Sequence, residues 1–235
     1  MILEICANSY QSAKNAQTAG AKRIELCSEL SIGGTTPSYG LITKVIHELD
    51  IETFVLIRPR SGNFYYTDAE FEIIKKDIQI CKDLGCHGIV SGLLNEDNTI
   101  DLKRTRELIE LSKPLPFTFH RAFDVVPNTN TALEQLIDLG VERILTSGQQ
   151  HKAINGLKTL KELNKQAKNR IIILSGSGIS SKNAKAFKEA GFDEIHSSAS
   201  KVIITETSNY FGNTPQTVSS VKEIKAILKV IADEV

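Results

Sequence analysis

The residues that could do chemistry are few, and they gather where short apolar runs end. FTF (117–119) runs into His120, Arg121 and, three residues on, Asp124. ILEIC (2–6) sets Glu4 and Cys6 two residues apart, and RIELCS (23–28) does the same with Glu25 and Cys27. TFVLIR (53–58) ends in Arg58, and LSGSGISS (174–181) presents Gly176, Ser177 and Gly178, with Ser198 following a later run. Carboxylates beside a histidine suit general acid–base work. An arginine suits an anion. Thiols suit a soft metal ion. A Gly/Ser turn that opens a helix suits a phosphate.

These residues need elements to bring them together. Four segments look alike: AGAKRIELCS (19–28), LGCHGIVSG (84–92), LGVERILTSG (139–148) and AGFDEIHSSAS (190–200). In each, a glycine (Gly20, Gly85, Gly140 or Gly191) closes a helical pattern. An apolar run then starts and ends in small polar residues, which reads as helix, tight turn, strand. Each interval has room for one more strand, at 53–58, 117–121 and 170–175. With 2–6, 23–27, 88–91, 142–146 and 193–197 the strands number eight.

Helical patterns fill the gaps at 9–19, 37–49, 68–84, 101–112, 131–139, 152–167, 181–190 and 218–231. The second is read with Thr36 as its cap and Pro37 at its first position. The third follows a capping box of Thr67 and Glu70. Residues 201–217 read as a loop. Eight alternating βα units predict an α/β fold, a (β/α)8 TIM barrel forming one domain over residues 1–235.

Alternation then assigns faces. The outside of a barrel strand packs on helices, where a lone carboxylate is costly, so Glu4 and Glu25 point into the lumen. Cys6 and Cys27 follow them, nearer the mouth. Arg58 and His120 also face inward, and His196 shares a face with Ser198. The C-terminal mouth, where barrel enzymes keep their active sites, thus collects acid–base groups. His120 is expected within reach of Glu4 or Glu25, which would raise its pKa against the effect of burial. Arg121 is expected to pair with Asp124. The bland alternative is a salt-bridge network filling the barrel. For the G-x-G it is a turn that needs glycine for its geometry.

Bulk properties narrow the classes. With 28 basic and 28 acidic residues the chain is neutral and shows no basic stripe, which argues against nucleic acid. No apolar run approaches ~18 residues, so no membrane helix is expected. The N-terminus has no basic n-region and does not read as a signal peptide. Cys81 falls on the buried face of a helix and Cys86 in the turn after it, and both read as core. No lysine lies in a predicted strand, which argues against a Schiff-base aldolase.

ILEICANS, RIELCS, GGTTPS (33–38), LIRPRSGNFYYTDAE (56–70), FHRAFD (119–124) and LTSG (145–148) together resemble the CutC family of copper homeostasis proteins, from residue 2 to about 200. The resemblance implies a TIM barrel, a cytoplasmic location, a homo-oligomer (dimer or tetramer), and a Cu(I) role. No established reaction comes with it. Two readings follow. In one, Cys6 and Cys27, on neighbouring strands ~4.8 Å apart, bracket Cu(I). In the other, the barrel is an isomerase- or lyase-type enzyme for a small anionic, phosphorylated substrate. Glu4, Glu25 and His120 would then move protons, Arg58 or Arg121 would clamp the anion, and Gly176, Ser177, Gly178 and Ser198 would hold the phosphate.

Overall fold

The computed structural model describes residues 1–204 and 215–232. Eight parallel strands close into a barrel in sequence order: β1 (Ile2–Ala7), β2 (Arg23–Leu26), β3 (Glu52–Leu56), β4 (Gly88–Ser91), β5 (Phe117–Phe119), β6 (Arg143–Thr146), β7 (Ile172–Gly176) and β8 (Glu194–Ser197). The helices between them are α1 (Tyr10–Ala19), α2 (Tyr39–Glu48), α3 (Asp68–Asp83), α4 (Leu102–Ser112), α5 (Thr129–Asp138), α6 (Leu157–Ala167), α7 (Ala184–Glu189) and α8 (Val221–Ile231). The predicted (β/α)8 barrel is therefore the observed one. Among the described residues no helix is long and apolar enough to cross a membrane.

Local chemistry explains the boundaries. Gly20, Gly85, Gly140 and Gly191 all take left-handed φ values, from 78° to 91°, and each turns the chain from a helix toward the next strand. Thr67 and Glu70 form the predicted capping box at α3. At α2 the cap is Ser38, whose side chain accepts from Leu41 N, and not Thr36. Thr36 is occupied elsewhere: its Oγ1 accepts from Arg58 N at 2.9 Å and ties the β2–α2 loop to the end of β3.

Four predicted segments are corrected, the first being the last helix, which starts at Val221 and not 218 because Val218 and Ser219 are in a strand and Ser220 is the cap. Helix α6 starts at Leu157 and not 152, because residues 151–156 fold as turns packed under Ser147 and Ser177. Helix α7 starts at Ala184 and not 181, because Asn183 folds back to accept from Ser180 N and donate to Gly178 O. The stretch read as a loop over 201–217 contains strand at both ends: β9 (Ser200–Ile204) pairs antiparallel with β10 (Gln216–Ser219). Residues 205–214 of that stretch lie outside the described residues. The new hairpin is tied to α1 through Asn15 Nδ2 to Ser219 O (2.8 Å) and Ser219 N to Ser12 Oγ (3.1 Å).

Alternation splits the apolar residues into two cores. Outward residues such as Leu3, Ile5, Ile24, Val55 and Ile195 join the helices in one large cluster. Inward residues Cys6, Cys27, Phe54, Leu56 and Val90 form a small separate cluster in the lumen. Apolar filling is scarce there, and charged side chains take the remaining space.

Candidate functional site

The lower lumen, toward the N-terminal ends of the strands, is a closed ionic layer. Arg23 Nε donates to Glu4 Oε2 at 2.5 Å, and its Nη2 donates to Glu194. Arg143 Nε reaches the same Glu194 at 3.1 Å. Both guanidinium groups ride on the Phe54 ring, at 5.0 and 5.1 Å from its centroid. Arg23, Arg143 and Glu194 were not among the predicted site residues. Alternation could have found them, since Arg23 shares the face of Glu25, and Glu194 that of His196. Charges at the start of a strand read more naturally as turn residues.

One layer up, His196 joins the two predicted glutamates. Its Nδ1 lies 2.8 Å from Glu4 Oε1 and 3.9 Å from Glu25 Oε2. Burial alone would raise the pKa of Glu4, but the His196 hydrogen bond and the Arg23 charge outweigh it and bring it to about 2. Glu25 has no such partner: burial, assisted by the Glu4 charge and opposed by His196, pushes it up to about 7. His196 is raised despite burial, because Glu4 and Glu25 face it. The three residues could geometrically bracket a metal ion. A hard cation would have to compete there with Arg23, which already holds Glu4.

His120 is not where the sequence placed it. No hydrogen bond or ion pair links it to Glu4 or Glu25. The reason is topological: β1 is flanked by β2 and β8, and β5 lies across the barrel. His196, on β8 and level with Glu4, takes the expected role. His120 Nδ1 instead accepts from Ala122 N at 3.2 Å, and its ring packs on Phe64. The space beside the ring exists because residue 92 is glycine; a Cβ there would lie 2.6 Å from Nδ1. Burial, then the Arg58 charge, lower the His120 pKa to about 3, the opposite of the expected direction.

The predicted thiol pair is in contact. Cys6 Sγ and Cys27 Sγ are 3.6 Å apart, both buried, with Cys6 level with Glu25 in the β1–β2 register. The hydrogen bond with Cys27, burial and the nearby carboxylates hold the Cys6 thiol well above the ordinary range. Cys81 and Cys86 are buried in the outer core, as expected.

Above these layers is a cavity of about 260 Å³ at the mouth, bordered by Cys6, Glu25, Arg58, His120, Arg121 and His196. Ser177, Gly178, Ser197 and Ser198 close one side, so every region predicted for the site except Glu4, Cys27, Asp124 and Gly176 borders it directly. Arg58 gives Nη1 to the Ile32 and Gly34 carbonyls and Nη2 to that of Gly62. Arg121 pairs with Asp124 at 2.8 Å, as predicted. Asp124 also accepts from Thr146 Oγ1 (2.6 Å) and from the N–H groups of Ser147 and Gln149. A larger groove of about 730 Å³ lies beside the hairpin and involves none of the predicted residues.

The Gly/Ser turn differs from its expected form. Gly176 ends β7, and Ser177 is left-handed at φ 90° with its hydroxyl donating to His151 O. No helix starts there. The N–H groups of Ser180 and Ser181, which would face an anion at a helix start, go to Asn183 and Glu223.

Comparison with known proteins gives a consistent result. The CutC family model matches residues 1–201. A CutC family protein of Parabacteroides distasonis is 48% identical over 216 residues, covering 91% of this chain and 89% of that protein. The copper homeostasis protein cutC homolog of Homo sapiens is 48% identical over 199 residues, 84% of this chain and 73% of that one. A crystal structure of a CutC protein from Streptococcus agalactiae superposes with a TM-score of 0.80 at 36% identity, covering 84% of this chain and 98% of that one.

Proposed function

The chain belongs to the CutC family, whose members carry the name of copper homeostasis proteins, and on that premise we propose that it holds Cu(I), as cargo, between Cys6 and Cys27. The observation that carries this reading is the 3.6 Å contact of the two sulfurs, one of which borders the mouth cavity. Thiolate is the donor type that Cu(I) prefers over the carboxylates below. The ion would part the two sulfurs and replace their protons. Because the hydrogen bond with Cys27 and burial hold the Cys6 thiol protonated, affinity rises with pH. The cavity supplies the entry path, and Cys6 is the sulfur met first.

Four free thiols fit a reducing compartment, which supports a cytoplasmic location. Family membership carries homo-oligomerisation into the same reading, and sedimentation velocity measures it directly.

An anaerobic Cu(I) titration against bicinchoninate tests the site. Cys6→Ser and Cys27→Ser should each lose the competition, while the Cys81→Ser/Cys86→Ser protein should bind as wild type. Retained binding in the Cys6→Ser/Cys27→Ser protein, or its loss in the other pair, overturns the assignment.

A further inference from the structure

Three polar atoms at the mouth are buried without a hydrogen-bond partner among the described residues: Arg58 Nε, His120 Nε2 and Glu25 Oε2. Each of these residues is 4% exposed, and all three border the same cavity. Buried polar atoms are nearly always paired, so three orphans around one cavity ask for a common explanation.

The chemistry of each orphan is defined. Arg58 is a full positive charge with no carboxylate in ion-pair range among the described residues. The Ile32, Gly34 and Gly62 carbonyls and the Phe64 ring orient it without neutralising it. A buried charge lacking a counter-charge is a poor scaffold element. His120 accepts from Ala122 N–H through Nδ1, so its ring proton is on Nε2, which is a donor. Glu25 offers a carboxyl oxygen from β2, which pairs with the strand that leads into Arg58. Two donors, one of them cationic, and one acceptor therefore border the same cavity.

We propose that this cavity binds a small hydroxycarboxylate, whose carboxylate receives Arg58 Nε–H and His120 Nε2–H and whose hydroxyl meets Glu25. The carboxylate is then the counter-ion that Arg58 lacks. One negative charge matches one unpaired cation, and a phosphate would bring more. Leu56, Phe64 and Leu145 form apolar walls for a short carbon chain. At about 260 Å³ the cavity is below the usual ~300–1,000 Å³ of drug-sized sites, which limits the acid to a few carbons. The proposal uses neither sulfur, and metal-free protein reads it apart from copper binding.

The test titrates metal-free protein with glycolate, lactate and glycerate, both enantiomers where they exist, beside glycerol and lactamide as uncharged controls. Thermal stability and the ¹⁵N resonances of the His120 ring are the readouts. At least one acid should bind saturably and shift the His120 Nε2 signal, and the controls should not. His120→Phe and Arg58→Met should each lower the affinity on the order of tenfold or more. The proposal is overturned if no acid shifts the His120 signal, if the uncharged analogues bind equally well, or if both folded variants bind like wild type. Should Arg58→Met not fold, the wild-type His120 signal decides alone.

Discussion

The lower and upper halves of this lumen are built from the same strands and the same kinds of residue, yet they solve opposite problems. Below, Arg23 sits between Glu4 and Glu194, and Arg143 completes the set over the Phe54 ring. One nitrogen there, Arg143 Nη1, lacks an acceptor, but every charged group has an opposite charge in contact. Above, Arg58 has carbonyls, an aromatic face and the neighbouring Tyr66 but no carboxylate, His120 is kept neutral, and two thiols touch. Compensated charge holds strands together. Uncompensated charge beside a cavity is poised for something the chain does not itself supply. Burial alone separates these roles poorly, since both halves are buried; the pairing of each charge separates them.

The largest expected effect breaks the lower half. Glu194→Gln removes the carboxylate that Arg23 and Arg143 share and leaves buried positive charge uncompensated. Removing one member of a buried ionic set costs about 3–5 kcal/mol. For a chain of this length that is a fall in Tm of roughly 6–20 °C. Urea and thermal unfolding read it. A loss below ~1 kcal/mol would mean that the lower layer is no more structural than the upper one.

A smaller effect belongs to His120 and appears only on acidification. Its folded pKa of about 3 is below the ordinary 6.5, so its contribution to stability is full above pH 6.5 and lost as pH falls toward 3. At pH 5 the unfolded chain binds a proton that the folded one refuses, a loss of about 2 kcal/mol. His120→Gln does not titrate. The stability gap between wild type and this variant should therefore narrow by about that amount between pH 7 and pH 5. A constant gap would show that His120 is not held neutral.

Much of this was legible from the chain because strand alternation is a strong local signal. It put Glu4, Glu25, Cys6, Cys27, Arg58 and His120 in the lumen, and all are there. Alternation fixes a face and says nothing of a neighbour, which is why His120 was paired with the wrong carboxylates. Counting strands around an eight-membered ring would have set it opposite β1. The ionic layer of Arg23, Arg143 and Glu194 followed the same periodicity but began each strand, where charge looks like the end of a turn. The Gly/Ser turn looked like a helix start because serines open helices readily. Here Asn183 caps the turn from within, a contact that spacing does not reveal. The hairpin of β9 and β10 is held by α1 residues almost the whole chain away, beyond any local reading.

The smallest expected effect comes from the rim, where two ionic partners look equal and are not. Arg121 and Asp124 pair at 2.8 Å, but the arginine side chain is 43% exposed and the aspartate 8%. An exposed cation gains little from its pair, so Arg121→Ala should cost less than ~1 kcal/mol. Asp124 joins FHRAFD to LTSG: it accepts from Thr146 Oγ1, Ser147 N, Ser147 Oγ and Gln149 N as well as from Arg121. Asp124→Ala strands those donors, several of them buried, and should cost about 2 kcal/mol or more. Because Asp124 already neutralises Arg121, Arg121→Ala should also weaken binding of a small acid far less than Arg58→Met does. Unfolding curves for the two rim variants, with an acid titration of Arg121→Ala, measure both differences. Equal losses of stability would make the rim an ordinary surface pair, and an acid affinity as dependent on Arg121 as on Arg58 would move the anion site out of the lumen to the rim.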